Sequence, residues 1–152
     1  MIKMFLLTDK EKESFLKAIY SVMMFDRQIS DEENEILEIL KSEILQIDKF
    51  LKIDLEKDEL IVDEINKIYK IIPVIYLFNI LFELKKYHKK EKRNEYLKRV
   101  KSILKNVKMY DEIVKSKLFI YSAKTNEKDE DSNIKEFGLQ NKIKKFLDIL
   151  EK

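Results

Sequence analysis

The sequence predicts an all-α fold, a compact bundle of about seven helices. The whole chain of 152 residues holds one Gly and one Pro, whereas sheet proteins need both residues in their turns and helices exclude both from their interiors. Hydrophobic residues make up 45% of the chain and charged residues 39%, a combination typical of a packed helical protein rather than a disordered one. A chain of this length buries roughly 70% of its unfolded surface, so we expect residues 1–152 to form one domain.

Capping boxes predict where the first two helices begin. Thr8 with Glu11, and Ser30 with Glu33, each place a hydroxyl at a helix start and a glutamate three residues later, so that both satisfy free backbone N–H groups. The first helix is predicted from Thr8 to about Phe25, and the second begins at Ser30. Hydrophobic residues at spacings of three and four give each helix one buried face: Phe15, Leu16, Ile19, Val22 and Met23 in the first, and Ile36, Leu37, Leu40, Ile44 and Ile47 in the second.

The middle of the chain predicts two more helices. The third begins near Asp58, and Pro73 opens the fourth, at about residues 74–87, where a missing N–H is harmless. The fourth helix is hydrophobic on nearly every side, which indicates a central, buried position. Asn79 inside it is therefore expected to form a hydrogen bond with a neighbouring helix. The hydrophobic face of the third helix is predicted to hold Ile61, Ile65, Ile68 and Ile72.

The last third of the chain predicts three helices and a linker. The sixth helix spans about residues 110–121, and a polar linker at 124–133 precedes the seventh. The fifth and seventh show amphipathic spacing, with hydrophobic faces at Tyr96, Leu97, Val100, Ile103, Leu104 and Val107, and at Leu139, Ile143, Phe146, Leu147 and Leu150.

An internal similarity occurs at an offset of 60 residues. Residues 31–40 align with residues 91–100, and each segment follows a hydrophobic helix. The Asn-Glu pair at 34 and 35 recurs at 94 and 95, with matching hydrophobic positions. The similarity predicts two helix-loop-helix units packed as a pseudo-symmetric pair, although amphipathic helices also imitate one another.

Composition excludes several classes of site. The absence of Cys excludes disulfides, thiolate metal sites and a Cys nucleophile, and a single His excludes a His-rich zinc site. No carboxylate pair, glycine-rich phosphate loop or nucleophile constellation suggests a reaction, so we do not expect an enzyme.

The hydrophobic runs predict no membrane span and no signal peptide. The longest run, residues 71–82, is well short of the roughly 20 residues that a span needs. The run at the start of the chain is too short for a signal peptide. We therefore expect a cytoplasmic protein, and the Lys and Ile bias suggests a bacterial one.

The stretch FDRQISDEEN at residues 25–34 has two interpretations. Acids at a helix start are favoured by the helix dipole, so capping alone accounts for them. Alternatively, Asp31, Glu35 and Glu38 lie on one helix face and repel one another, and a bound Ca²⁺ or Mg²⁺ would relieve that repulsion.

The same loop resembles a known family. A hydrophobic helix, then Asp26, then Ile29, Ser30 and Glu33 opening a second helix is similar to the TerB-like domain associated with tellurite resistance. The resemblance covers Thr8 to about Leu45 and, more faintly, residues 73–107. It implies an all-α fold of about seven helices with an internal repeat, and a stress-associated accessory role.

The resemblance also implies a divalent cation at Asp26 and Glu33, with Asp31 and Glu35 nearby. Arg27 stands where the family has Gly, which predicts a loss of conformational freedom at this position. The second copy of the loop, residues 86–90, has no acids, so the resemblance implies at most half of a paired site.

Charge is unevenly distributed along the chain. Residues 9–64 contain 17 acids and 8 bases, a net charge of −9, and residues 83–108 contain 11 bases and 3 acids, a net charge of +8. This division favours another protein, or a second copy of the chain, as the partner. A basic surface could instead bind nucleic acid, a less favoured interpretation, with His88 exposed among Lys85, Lys86, Lys89, Lys90, Lys92 and Arg93.

Overall fold

The structure is a computed structural model that describes residues 7–50 and 52–119. These residues form six α-helices and no β-strand, which confirms the all-α prediction with one helix fewer than expected. The predicted seventh helix and the polar linker lie outside the described residues. The helices are α1 (Asp9–Met23), α2 (Asp31–Ile39), α3 (Asp58–Asn66), α4 (Ile71–Glu83), α5 (Arg93–Asn106) and α6 (Tyr110–Lys115).

Helix α4 lies at the centre of the bundle. Every residue from Pro73 to Glu83 is buried, as the continuous hydrophobic sequence predicts. Helices α1, α5 and α6 pack against it, and α3 packs against α1 and α5. In the part of the chain that the structure describes, no helix is long and hydrophobic enough to cross a membrane.

Both predicted capping boxes are confirmed. The Thr8 hydroxyl accepts a hydrogen bond from the Glu11 N–H at 3.1 Å, and the Glu11 carboxylate accepts one from the Thr8 N–H at 3.0 Å. At α2, the Ser30 hydroxyl accepts from the Glu33 N–H and the Glu33 carboxylate accepts from the Ser30 N–H, both at 3.2 Å. The starts of α1 and α2 are therefore fixed by local sequence.

Several predicted boundaries are wrong by a few residues. Helix α4 begins at Ile71 rather than Val74, so that Pro73 lies inside the first turn, where its N–H would still lack an intrahelical partner. Because α3 ends at Asn66, Ile72 belongs to α4 and is 36% exposed. Short 3-10 turns extend α1 at Met24–Asp26 and α4 at Leu84–Tyr87, and a π-helical turn extends α2 at Leu40–Ile44. Helix α6 ends at Lys115 rather than near residue 121.

The prediction that Asn79 is buried and hydrogen-bonded is confirmed, but its partner lies in a turn rather than in a neighbouring helix. The Asn79 side chain donates a hydrogen bond to the Leu118 carbonyl at 3.0 Å, just beyond the end of α6. This bond fastens the segment after α6 to the central helix.

Arg27 adopts the left-handed conformation that its side chain was expected to oppose. Its φ is 61° and its ψ is 18°, and its N–H donates to the Met24 carbonyl at 2.9 Å to close the turn after α1. A left-handed residue with a Cβ is strained by roughly 1–2 kcal/mol. The loop therefore keeps its turn at the expense of backbone strain.

Replacing this arginine with glycine is expected to stabilise the protein. Arg27→Gly should raise the free energy of unfolding by about 0.5–1 kcal/mol, because relief of strain exceeds the extra entropy of glycine in the unfolded chain. Urea denaturation would measure the change. Gln28→Gly is the matched control, since Gln28 is not at positive φ, and it should destabilise. Equal destabilisation by both substitutions would contradict the strain.

Candidate functional site

The structure divides the acids predicted near a cation into two groups, one buried or partly buried and one exposed. Asp26, in the turn after α1, is only partly exposed, and its Oδ1 accepts a hydrogen bond from the Gln28 N–H at 3.2 Å. The Glu33 side chain is 1% exposed. Asp31 and Glu35 lie exposed on α2. The four acids predicted near a cation therefore do not converge on one point.

His88 brings the loop between α4 and α5, the second loop, against the loop between α1 and α2, the first loop. Its Nδ1 lies 3.4 Å from the Asp26 Oδ2, and its Nε2 lies 3.6 Å from the Glu33 Oε2. The imidazole is 1% exposed. The expectation that His88 is an exposed member of a basic surface is wrong. It is instead the centre of a buried cluster with Asp26 and Glu33, which we call the His88 cluster.

Aromatic side chains enclose the imidazole. The Tyr96 ring lies 4.4 Å from it, centroid to centroid, tilted by 32°, and the Phe25 ring meets it edge-on at 6.0 Å. Tyr96 is fully buried and its hydroxyl donates to the Leu81 carbonyl at 2.6 Å. These rings exclude water from His88 and give its burial a favourable packing energy.

Arg93 holds the backbone that carries His88. Its guanidinium donates to the carbonyls of His88 and Lys86, both at 3.2 Å. Position 93 is offset by 60 residues from Glu33. The two equivalent side chains each bind their own loop, Glu33 by accepting from the N–H and hydroxyl of Ser30 and Arg93 by donating to two carbonyls. This correspondence is consistent with the predicted repeat.

The predicted basic surface is smaller than the sequence indicates. Lys85 is buried, as is His88, because the 3-10 turn after α4 continues the central helix before the chain reaches solvent. Lys86 is half-buried, pairs with Glu83 at 3.2 Å and lies over the Tyr87 ring. Arg93 is half-buried and used by the loop. The exposed bases of the predicted set are Lys89, Lys90 and Lys92.

Burial changes the proton affinities of the His88 cluster. Burial raises the pKa of Glu33 from 4.5 to about 7; hydrogen bonds from Ser30 oppose the rise, and the charges of Asp26 and Glu32 assist it. Burial also lowers the pKa of His88 from 6.5; Asp26 opposes the fall, and Arg93 adds to it. Both changes favour the uncharged forms of the two side chains.

The cluster is not arranged as a metal site. Within residues 7–50 and 52–119, no three His, Asp or Glu side chains are grouped so that they could hold a metal ion. The two ring nitrogens of His88 face opposite carboxylates, and the Glu33 Oε1 already accepts from the Ser30 N–H and hydroxyl. Asp26 and Glu33 are therefore not assigned as metal ligands.

Comparison with protein-family models, with curated proteins and with solved structures finds no match for this chain. The resemblance to TerB-like domains rests on the loop at residues 26–33 and stays a prediction.

Proposed function

We propose that this chain is a TerB-like helical module without a catalytic role, which binds a second copy of itself through two adjoining surfaces of opposite charge. The observation that carries the proposal is that an acidic surface on α2 and a basic surface that runs from the second loop along α5 are both exposed, and that α2 packs against the 3-10 turn that precedes the second loop.

The acidic surface lies on α2 and its π-helical extension. Its exposed acids are Asp31, Glu32, Glu35, Glu38 and Glu43. Repulsion among like charges at helical spacing disfavours this face in isolation. A basic partner would remove that repulsion and increase the rate of association at low salt.

The basic surface begins where the second loop ends. Its exposed bases are Lys89, Lys90, Lys92, Lys98 and Lys105, with Glu91 and Glu95 between them. The two surfaces adjoin, because α2 packs against the 3-10 turn at Leu84–Tyr87. The pKa of Tyr87 in this turn is raised by burial and by the charges of nearby acids, among them Glu32 and Glu35.

Adjoining surfaces of opposite charge suit a twofold dimer. In such a dimer each patch contacts its complement on the other copy, and both contacts form at once. Nucleic acid is less well supported as a partner, because His88 and Lys85 are buried and Arg93 binds its own backbone. Those three side chains belong to the set that would have bound phosphates or bases.

Charge reversal tests the proposed dimer. Glu32→Lys with Glu38→Lys, or Lys89→Glu with Lys92→Glu, should each weaken self-association roughly tenfold or more at low salt. An equimolar mixture of the two variants should associate again, since each reversed surface then meets a complementary one. Sedimentation velocity at 20 mM and 500 mM salt would measure both effects.

A reversal on another helix provides the control. Glu112→Lys lies on the exposed side of α6 and should leave association unchanged. A wild-type chain that is monomeric at every salt concentration would exclude the second copy, and a different protein would then become the partner to seek.

A further inference from the structure

We propose that Asp26, Glu33 and His88 form a proton-operated latch, in which a proton carried by Glu33 and donated to neutral His88 keeps the second loop closed against the first. The three side chains come from three separate elements: the turn after α1, the first turn of α2, and the loop between α4 and α5. The latch is independent of any partner, so its test does not depend on the proposed dimer.

The geometry requires an additional proton. The Glu33 Oε2 and the His88 Nε2 are both buried, and neither has a hydrogen-bond partner among the described residues. They face each other at 3.6 Å. A neutral imidazole carries one N–H, and the contact with Asp26 at the other nitrogen uses it. A proton on Glu33 would let its Oε2 donate to the Nε2 and satisfy both atoms.

Loss of that proton opens one of the two contacts. With Glu33 ionised and His88 neutral, two buried acceptors face each other at Nε2. If the ring proton moves to Nε2 instead, the contact with Asp26 lacks a hydrogen. In either tautomer an unsatisfied buried pair remains, which disfavours the closed arrangement of the loops.

Charged and titratable groups face the latch from several elements. Asp26, Glu33 and Arg93 face the imidazole from the turn after α1, from α2 and from α5, and the Tyr96 ring lies against it. The charge of Glu33 also acts on the hydroxyls of Tyr96 and of Tyr87, in the 3-10 turn after α4, and Glu32 acts on Glu33 from the same helix turn. No Lys or Arg of the described residues forms an ion pair with Glu33, so the charge of an ionised Glu33 would stay uncompensated.

The direction of the pH dependence follows from the two pKa changes. The pKa of Glu33 is raised from 4.5 to about 7, so its contribution to stability is complete below 4.5 and is lost as pH rises through 7. The pKa of His88 is lowered from 6.5, so its contribution is present above 6.5 and is lost as pH falls. The two dependences oppose each other below 6.5. The net loss of folding stability therefore appears between pH 6.5 and 8.

The composition of the chain makes this interval easy to observe. Because the chain has one His and no Cys, few other groups titrate between pH 6 and 8. The imidazole gives a single set of ring ¹⁵N signals, which report the tautomer directly. We expect neutral His88 with its proton on Nδ1 at pH 6, and a change in the Nε2 signal with a midpoint near 7.

Glu33→Gln is the matched variant for stability. The amide of this variant keeps the hydrogen bond from the Ser30 N–H and can donate to the His88 Nε2, but it cannot lose a proton. The wild-type equilibrium constant for unfolding should rise roughly two- to threefold between pH 6.5 and 8, because the His88 contribution offsets part of the Glu33 effect. That of the variant should not rise. Over the same pH interval, hydrogen exchange of backbone amides in the two loops should accelerate relative to that of amides in α1. This acceleration should occur in the wild type and not in the variant.

Three results would overturn the latch. One is an imidazolium at pH 6, with protons on both ring nitrogens. Another is a ¹⁵N transition near pH 7 that persists in Glu33→Gln. The third is a flat ¹⁵N profile in the wild type. Because the ¹⁵N measurement is made on the wild-type chain, it decides the question even if the variant fails to fold.

Discussion

Replacing His88 with alanine is expected to lower the free energy of unfolding by about 3–5 kcal/mol, the range for losing a large buried ring. The imidazole packs on Tyr96 and Phe25, and both of its nitrogens face carboxylates. Removing it leaves a cavity and two poorly satisfied acids, of which Glu33 is fully buried. Urea denaturation at pH 6 would measure the loss.

His88→Phe separates packing from hydrogen bonding. The phenyl ring keeps the contacts with Tyr96 and Phe25, but it has no nitrogen for either carboxylate. We expect it to recover most of the packing energy and to remain about 1–3 kcal/mol less stable than the wild type, the typical effect of an unsatisfied buried polar group. A change of less than about 0.5 kcal/mol in His88→Ala, the size expected for a surface residue, would show that the cluster contributes little.

The starts of α1 and α2 could be predicted because their signals are local. Each capping box lies within four residues, and both pairs of hydrogen bonds form as expected. The buried faces of α1, α2 and α5 were equally predictable, since a spacing of three and four residues fixes which side of a helix meets the core. Helix ends were less predictable, because the 3-10 and π-helical turns that finish α1, α2 and α4 depend on tertiary packing.

The burial of His88 could not be predicted from its neighbours in sequence. Lysines flank it at 85, 86, 89 and 90, and such a run normally indicates a solvated surface. Its partners Asp26 and Glu33 are more than 50 residues away. The useful signal was the internal similarity, because two paired helix-loop-helix units bring their loops together at one end. Applied to the loops, that similarity places His88 beside the acids of the first copy.

The two capping glutamates show how tertiary contacts determine the state of identical local motifs. Glu11 and Glu33 occupy the same position of a capping box, three residues after a hydroxyl side chain, and both are buried. Glu33 faces His88 and has a raised pKa. In Glu11 burial raises the pKa, but hydrogen bonds from Thr8, Lys70 and Tyr69 outweigh it, and the pKa is lowered. Local sequence determines where the two caps form, and tertiary contacts determine whether the pKa of each capping glutamate is raised or lowered.

Glu11→Ala is expected to destabilise the protein by about 2–3 kcal/mol. The Glu11 carboxylate accepts from the Lys70 ammonium at 2.9 Å and from the Tyr69 N–H at 3.2 Å, in addition to its bond in the cap. It therefore joins the start of α1 to the loop between α3 and α4. The substitution leaves the Thr8 hydroxyl on the backbone N–H of residue 11 but removes the reciprocal bond to the Thr8 N–H, a loss of about 0.5–1.5 kcal/mol. The remainder reflects the two contacts between elements, and it is modest because Lys70 is partly exposed and its pair is screened.

The pH dependence of Glu11 has the opposite sign to that of Glu33. Because the pKa of Glu11 is lowered in the folded state, its contribution is complete above 4.5 and is lost as pH falls through the folded pKa. Chemical denaturation at pH 7 and pH 3 should show a smaller difference between wild type and Glu11→Gln at pH 3. Glu13→Ala, at an exposed position of the same helix, is the control and should change stability by less than about 0.5 kcal/mol. If Glu11→Ala were as mild as this control, the link between α1 and the α3–α4 loop would contribute no measurable stability.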